Sequence, residues 1–319
     1  MDKTTQKDSQ AAAFEQYRTL LFSIAYRMIG SASDAEDLVQ ETYLRYQASE
    51  GSEIVSLKAY LTTIITHLAL DYLKSAHVTR EQYVGTWLPE PILTSDEGEF
   101  PLAKVEQQES LSMAFMRLLE TLSPPERAVF LLHEVFDYPF SEIGMMLEKS
   151  AANCRQIYHR ATLALQEQRV RFESDPQRQR QLLFSFLSAT EAGNMEALTS
   201  LLAQDAVSWA DSGGKAKANL KPIYGQLAVA RFWFNVAQKG RRPGLFTLAE
   251  INGGPAFLFW EEGRLAGVGI LTLSDGDIQE IYALVNPDKL TYLQKQLSER
   301  GITAETSEPI SFSPDQLYK

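Results

Sequence analysis

The sequence predicts a multidomain protein: two all-α domains, one a helical bundle and the other a helix-turn-helix, followed by an α+β cone. Three observations carry that reading. Through the first half, apolar side chains recur at spacings of three and four between capping and breaking residues. A proline-bearing acidic stretch, with Pro89, Pro91 and Pro101, divides that half in two. From Leu245 the pattern changes to extended apolar runs separated by NGG, EEGR and SDGD, which suit hairpin turns. At 319 residues the chain has room for two or three cores.

Phe14, Tyr17, Leu21, Ile24 and Met28 mark a first amphipathic helix, ended by Gly30. Ser33-Asp34-Ala35-Glu36 has the form of a capping box and opens a second helix through Tyr46. Its acids suit the positive end of the helix dipole, and they also make an acidic face. A third helix is expected over Ser56–Ala76, with Leu57, Leu61, Ile64, Ile65 and Leu68 apolar and Thr63, Thr66, His67, Asp71 and Lys74 polar. The stretch His77–Leu102 has a composition that does not pack a core. Within it, Trp87 and Leu88 beside Pro89-Glu90-Pro91 are costly to leave in water.

Ser123-Pro124-Pro125-Glu126 is a capping box with proline in the first turn, so a helix starts there. Asp137-Tyr138-Pro139 stops it, Ser141 is expected to cap a short second helix, and Gly144 on that helix leaves room for a close neighbour. After Glu148-Lys149-Ser150 a third helix puts Cys154, Ile157 and Ala161 on one side and Ala152, Arg155, Gln156 and His159 on the other. That second face holds the small, basic and amide side chains that read base edges. Ser150–Arg171 carries four arginines against one acid, a local +3 in a chain of net charge −11. Residues 1–100 carry eight Lys/Arg against fifteen Asp/Glu, or −7. Such an N-terminal part repels phosphate and suits docking on a basic protein surface.

Pro176–Gly193, Met195–Leu202 and Gly225–Gly240 are expected helices, and Leu245–Ile251, Ala256–Glu261, Leu265–Leu273 and Ile278–Val285 expected strands. A cone of this kind has space for a small-molecule ligand. All four histidines and the single cysteine precede it, so it lacks the side chains for zinc or histidine acid–base work, and no metal, cofactor or catalytic residue is assigned. Among its carboxylates, Asp205, Asp211, Glu250 and Glu280 could act in a pocket, but none has a readable catalytic partner. One cysteine excludes an internal disulfide, and no apolar run approaches the roughly 20 residues that span a bilayer. A cytoplasmic protein is expected.

These strings resemble a known family. ERAVFLLHEVFDYPFSEIGMML and SAANCRQIYHRA resemble region 4 of bacterial extracytoplasmic-function (ECF) sigma factors, and SASDAEDLVQETYLR resembles region 2.2. WLPEP, Asn286-Pro287-Asp288-Lys289-Leu290 and Asp211-Ser212-Gly213-Gly214-Lys215, the last with serine replacing a glycine, resemble strings of the subgroup with a C-terminal SnoaL-like (NTF2-like) domain. The resemblance implies region 2 over 1–80, a linker over 81–104, region 4 over 105–174, the SnoaL-like cone over 175–291 and a tail over 292–319. It implies core RNA polymerase and promoter DNA (−35 and −10 elements) as partners. Asp34, Glu36, Asp37, Gln40 and Glu41 become the polymerase-docking face. Ser150, Ala152, Asn153, Arg155, Gln156, His159 and Arg160 become the upstream-element reader, and the loop Gln47–Val55 flanks a base pocket. Trp87, Leu88, Pro89, Glu90, Pro91, Asp211, Gly213, Gly214, Lys215, Asn286, Pro287, Asp288, Lys289 and Leu290 become regulatory contacts between linker and cone. The alternative is a SnoaL-type isomerase or hydrolase tethered to a DNA-binding module.

Overall fold

The computed structural model describes residues 3–49, 54–94, 110–166, 176–239 and 244–307. The chain divides into two compact units. The first comprises Met1–Gln82, Glu97–Leu111 and Phe115–Arg169, and the second Tyr83–Asp96, Ser112–Ala114 and Val170–Lys319.

In the first unit, α1 (Lys3–Ile29), α2 (Ala32–Ala48) and α3 (Leu57–Glu81) form a bundle around Leu21, Ile24, Met28, Val39, Leu61 and Ile65, all fully buried. Helix α1 begins ahead of its amphipathic stretch because Ala11-Ala12-Ala13 favours continued helix. Gly30, at φ 71, ends it. The cap of α2 is Ser31 rather than Ser33, its hydroxyl accepting from the Asp34 amide at 3.2 Å. After α4 (Met113–Leu119), α5 (Pro124–Glu134) starts as expected, the Glu126 carboxylate accepting from the Ser123 amide at 3.2 Å and from its hydroxyl at 2.6 Å. Helix α6 (Phe140–Met146) corrects a second cap: Pro139 is its N-cap and Ser141 lies inside it, exposed. Helix α7 (Ala151–Gln166) follows, with the Ser150 hydroxyl accepting from the Asn153 amide at 3.1 Å.

The helix-turn-helix and the bundle share this unit through polar bonds. Tyr138 and Thr62 hydroxyls lie 2.9 Å apart, and buried Arg127 donates to the Met28 carbonyl at 2.6 Å. His67 donates from Nε2 to the Met146 carbonyl at 2.6 Å, so that nitrogen carries the proton.

The second unit is built on a six-stranded sheet of order β2-β1-β6-β5-β4-β3. Its strands are β1 (Leu202–Asp211), β2 (Ile223–Tyr224), β3 (Gly244–Ile251), β4 (Gly254–Glu261), β5 (Arg264–Ser274) and β6 (Asp277–Leu284). Strands β3 to β6 form the expected meander. Each of its turns has two residues at positive φ: Asn252-Gly253, Glu262-Gly263 and Asp275-Gly276. Strand β1 was not expected; it runs parallel to β6 and is irregular between Leu202 and Val207. Helices α8 (Pro176–Glu191), α9 (Met195–Ser200) and α10 (Gln226–Lys239) cover one face, closing a core of Phe186, Trp233, Phe257, Leu271, Leu273 and Ile281. Phe257 lies over Gly269, where a Cβ would come within 1.9 Å of its ring. The other face packs Ile270, Tyr282 and Leu284 against α11 (Pro287–Glu299) through Leu290, Leu293 and Leu297. Helix α11 runs unbroken across the expected boundary at 291.

The stretch Tyr83–Thr94 corrects another expectation, because it does join a core. Leu88 and Ile92 are fully buried and Leu93 nearly so, within the second unit. Leu93 bridges to Ile251, the Thr94 amide donates to the Glu250 carbonyl at 2.9 Å and the Asn252 amide to the Ile92 carbonyl at 3.0 Å. The connector thus meets the free edge of β3 in an antiparallel bridge and satisfies backbone groups an open edge would expose.

Candidate nucleic-acid interface and connector clasp

Helix α7 separates into two faces as its spacing predicts. Cys154, Ile157, Ala161 and Leu165 are buried, and Ser150, Ala152, Asn153, Arg155, Gln156, His159 and Arg160 are exposed. The buried face seats on Val129, Leu132, Tyr138, Ile143 and Met146. Gly144 makes the close approach possible: a Cβ there would lie 2.6 Å from the Lys149 carbonyl oxygen and 3.4 Å from the Ala151 nitrogen, at the start of α7. Burial pushes the Cys154 thiol up from its ordinary value of 9.0, which keeps it protonated and unreactive. Two arginines are positioned by neighbours. Arg155 lies 5.8 Å over the Phe140 ring, and Arg160 reaches Glu126 at 3.3 Å. The outward surface therefore offers a braced guanidinium, an amide and an imidazole in one row, the donor set for base edges and phosphates.

On α2, Asp37 and Gln40 are exposed, whereas the other three candidate side chains have partners within the unit. Asp34 accepts from the Tyr72 hydroxyl at 2.6 Å, Glu36 pairs with Arg18, and Glu41 pairs with Arg45 at 2.8 Å. A surface groove of about 350 Å³ runs beside them, lined by Phe14, Arg18, Gln40, Tyr43 and Leu44. The loop Gln47–Val55 lies partly outside the described residues.

The three strings of the second unit meet at one place. Asp211, fully buried at the end of β1, accepts at Oδ2 from the Lys289 ammonium at 2.7 Å and from the Leu88 amide at 2.8 Å. At Oδ1 it accepts from the Tyr83 hydroxyl at 2.5 Å. The Lys289 ammonium also donates to the Leu88 carbonyl, and it lies 4.1 Å from the Trp87 ring centroid and 5.0 Å from that of Tyr83. One buried ion pair thus holds both backbone polar groups of Leu88, and two rings cover the cation. Asn286 caps α11 through the Asp288 amide and donates to the Tyr83 hydroxyl at 2.8 Å. Its own amide donates to the Asp211 carbonyl at 3.0 Å. Gly213 at φ 55 is required here, since a Cβ would come within 2.4 Å of the Asn286 side chain. Gly214 at φ 73 adjoins Val84, and Lys215 pairs with Asp288 at the surface. Serine in place of glycine at 212 is accommodated: it is buried, outside the positive-φ positions, and accepts from the Gly214 amide at 3.3 Å.

Trp87 is only half-buried, so the apolar anchor of the connector is Leu88. Glu90, Pro89 and Pro91 are buried, and Leu290 packs below. Sequence reasoning missed Tyr83 and Gln296, the latter accepting from the Leu93 amide at 2.9 Å. Tyr83 carried a signal, an aromatic beside glycine in a polar stretch; Gln296 carried none. Burial first, and then the hydrogen bond to Asp211, push the Tyr83 phenol well above its ordinary 10.0.

Of the remaining carboxylates, Glu280 is buried and accepts from the Trp209 indole at 3.0 Å and from the Tyr282 hydroxyl. Asp205 is exposed. Among the described residues no group of three or more His, Cys, Asp or Glu is placed to hold a metal ion. Among them no helix is long and apolar enough to cross a membrane.

The Sigma-70 region 2 family matches residues 13–78, and the Sigma-70, region 4 family matches residues 112–165. The chain is 36% identical over 293 residues to the ECF RNA polymerase sigma factor SigJ of Mycobacterium tuberculosis, covering 88% of this chain and 93% of that one. It is 29% identical over 296 residues to the probable ECF RNA polymerase sigma factor SigI of the same organism, covering 92% and 99%. The crystal structure of SigJ superposes with a TM-score of 0.71 at 33% identity, over 88% of this chain and 98% of that chain.

Proposed function

The chain belongs to the ECF RNA polymerase sigma factors, and from that premise we propose that its cone is a resident regulator that acts by clasping the connector between region 2 and region 4. The observation that carries this is the Asp211–Lys289 pair bonded to both the amide and the carbonyl of Leu88. A connector held there from Tyr83 to Thr94 leaves less chain free to span between the two promoter-reading regions. Clasped and released states would then differ in whether both promoter elements can be engaged together. A preference of about 1–3 kcal/mol is enough to bias such an equilibrium 5- to 150-fold. Within this reading α7 reads the upstream element through Arg155 and Gln156. The acidic face of α2 docks on core polymerase, with Asp37 and Gln40 as its exposed members.

No catalytic step is assigned to the cone. Asp211 and Glu280, its two buried candidate carboxylates, already hold protein donors. Transcription reconstituted with core polymerase tests the proposal, comparing the full chain with a truncation after Phe172, one after Ser307 and Lys289→Ala. The first and third should change promoter output in the same direction, and the Ser307 truncation should match the full chain. Unchanged output from both the Phe172 truncation and Lys289→Ala would refute it.

A further inference from the structure

Between Ser212 and Ala249 the sequence holds seven Lys/Arg and no Asp or Glu. At the chain's average of 41 acids in 319 residues, this stretch of 38 would hold about five. The described part of the stretch folds into the loop after β1, strand β2, helix α10 and the first residues of β3. Lys217 and Lys221 are exposed on the loop, while Lys215 is set apart by its pairing with Asp288. Tyr224 is 65% exposed, its ring edge-to-face with Trp209 at 6.1 Å. On α10, Leu227, Arg231, Asn235 and Gln238 are all exposed, and at spacings of four, four and three they form one stripe. At about 1.5 Å rise per residue that stripe is about 16 Å long, several phosphate steps of a DNA strand at about 3.4 Å of axis each.

We propose that this loop-and-helix face of the cone, centred on Lys217, Lys221, Tyr224 and Arg231, binds the phosphate backbone of duplex DNA. Lys, Arg, Asn, Gln and Tyr are the side chains that contact phosphates without reading sequence. In a chain of net charge −11, this stretch without acids adds a second region that attracts DNA to the one at α7. Leu220, Leu227 and Val236, also exposed here, are ordinary for a protein surface and do not by themselves require a protein partner. The function is one of positioning: contacts here add affinity to any duplex and leave the choice of sequence to α7.

The test uses the full chain with core polymerase, comparing it with the triple variant Lys217→Gln, Lys221→Gln, Arg231→Gln and a control, Lys295→Gln. Binding to a promoter duplex and to an unrelated duplex is measured across salt concentrations. The slope of log K against log salt should become shallower by about 2.7 in the triple variant, about 0.9 for each lost phosphate contact, equally on both duplexes and not in the control. In the same complex a photo-crosslinking residue replaces Tyr224, and an adduct with DNA is expected. An unchanged slope in a variant whose melting curve matches the parent overturns the proposal. So does an adduct confined to polymerase subunits, which would give the face a protein occupant.

Discussion

The helix-turn-helix and the connector clasp hold their candidate groups by opposite means. Helix α7 is positioned by apolar contacts drawn from one stretch, Val129 to Ile157, and its functional groups point away from that core. The clasp joins the connector to residues 123 to 203 positions further along the chain, and the groups that hold it are themselves buried and polar. An apolar seat degrades by increments as side chains are trimmed, whereas a buried ion pair is costly in any half-assembled state. The first arrangement suits a fixed reading surface and the second a contact with two states.

Trimming each region should separate them. All four tryptophans, at 87, 209, 233 and 260, belong to the second unit, so their fluorescence during urea unfolding reports the cone. Lys289→Ala leaves Asp211 buried without its cation and should cost about 3–5 kcal/mol by that readout. Asp211→Asn combined with Lys289→Met should recover more than half. A loss below about 1 kcal/mol for Lys289→Ala would place the pair among surface bridges. In the helix-turn-helix, Ile143→Ala should cost about 2–4 kcal/mol by far-UV circular dichroism, the loss of a fully buried side chain, with no effect on tryptophan fluorescence. Gly144→Ala should cost about 1–3 kcal/mol, because its Cβ meets the Lys149 carbonyl, and should also weaken promoter binding by displacing the start of α7.

How much was legible in the sequence follows the same division. The start of α5, the two faces of α7 and the three two-residue turns were readable because each depends on residues within one helical turn or one hairpin. The shift of the α2 cap from Ser33 to Ser31 is a local ambiguity, two serines competing for one amide. Ser141 failed as a cap because the Pro139 carbonyl already accepts from Glu142 and Ile143 at 2.9 and 3.0 Å. Strand β1 was hidden because its partner β6 is far away in sequence and its irregularity breaks the alternation that betrays a strand. The connector was misread as coreless for a physical reason. Adding a strand to an edge uses backbone groups, which every residue carries, and nothing in a proline-rich string marks Leu88 as the buried member.

Two smaller effects sharpen the comparison. Ser123→Ala should cost about 0.5–2 kcal/mol, the ordinary value of an N-cap, seen by circular dichroism alone. The clasp has a pH signature that the tryptophans of the second unit report. Because the folded state raises the Tyr83 phenol, the unfolded chain ionises first as pH climbs past 10.0. Its contribution is present below that pH and is lost as pH rises through the folded value. Tyr83→Phe should therefore flatten the alkaline fall in cone stability, measured by urea midpoints between neutral and alkaline buffer. An unchanged alkaline slope would remove Tyr83 from the clasp's energetics.

The separation between Leu88 and Lys289 also sets a timetable. Those two residues are 201 positions apart, and the connector leaves the ribosome first. At about 5–20 residues per second of synthesis, roughly 10–40 s pass between the appearance of Leu88 and that of its lysine. In the later part of that interval, once residue 165 has been made, both Sigma-70 segments are present while the lysine that closes the clasp is not. A nascent chain therefore passes through an unclasped stage each time it is made.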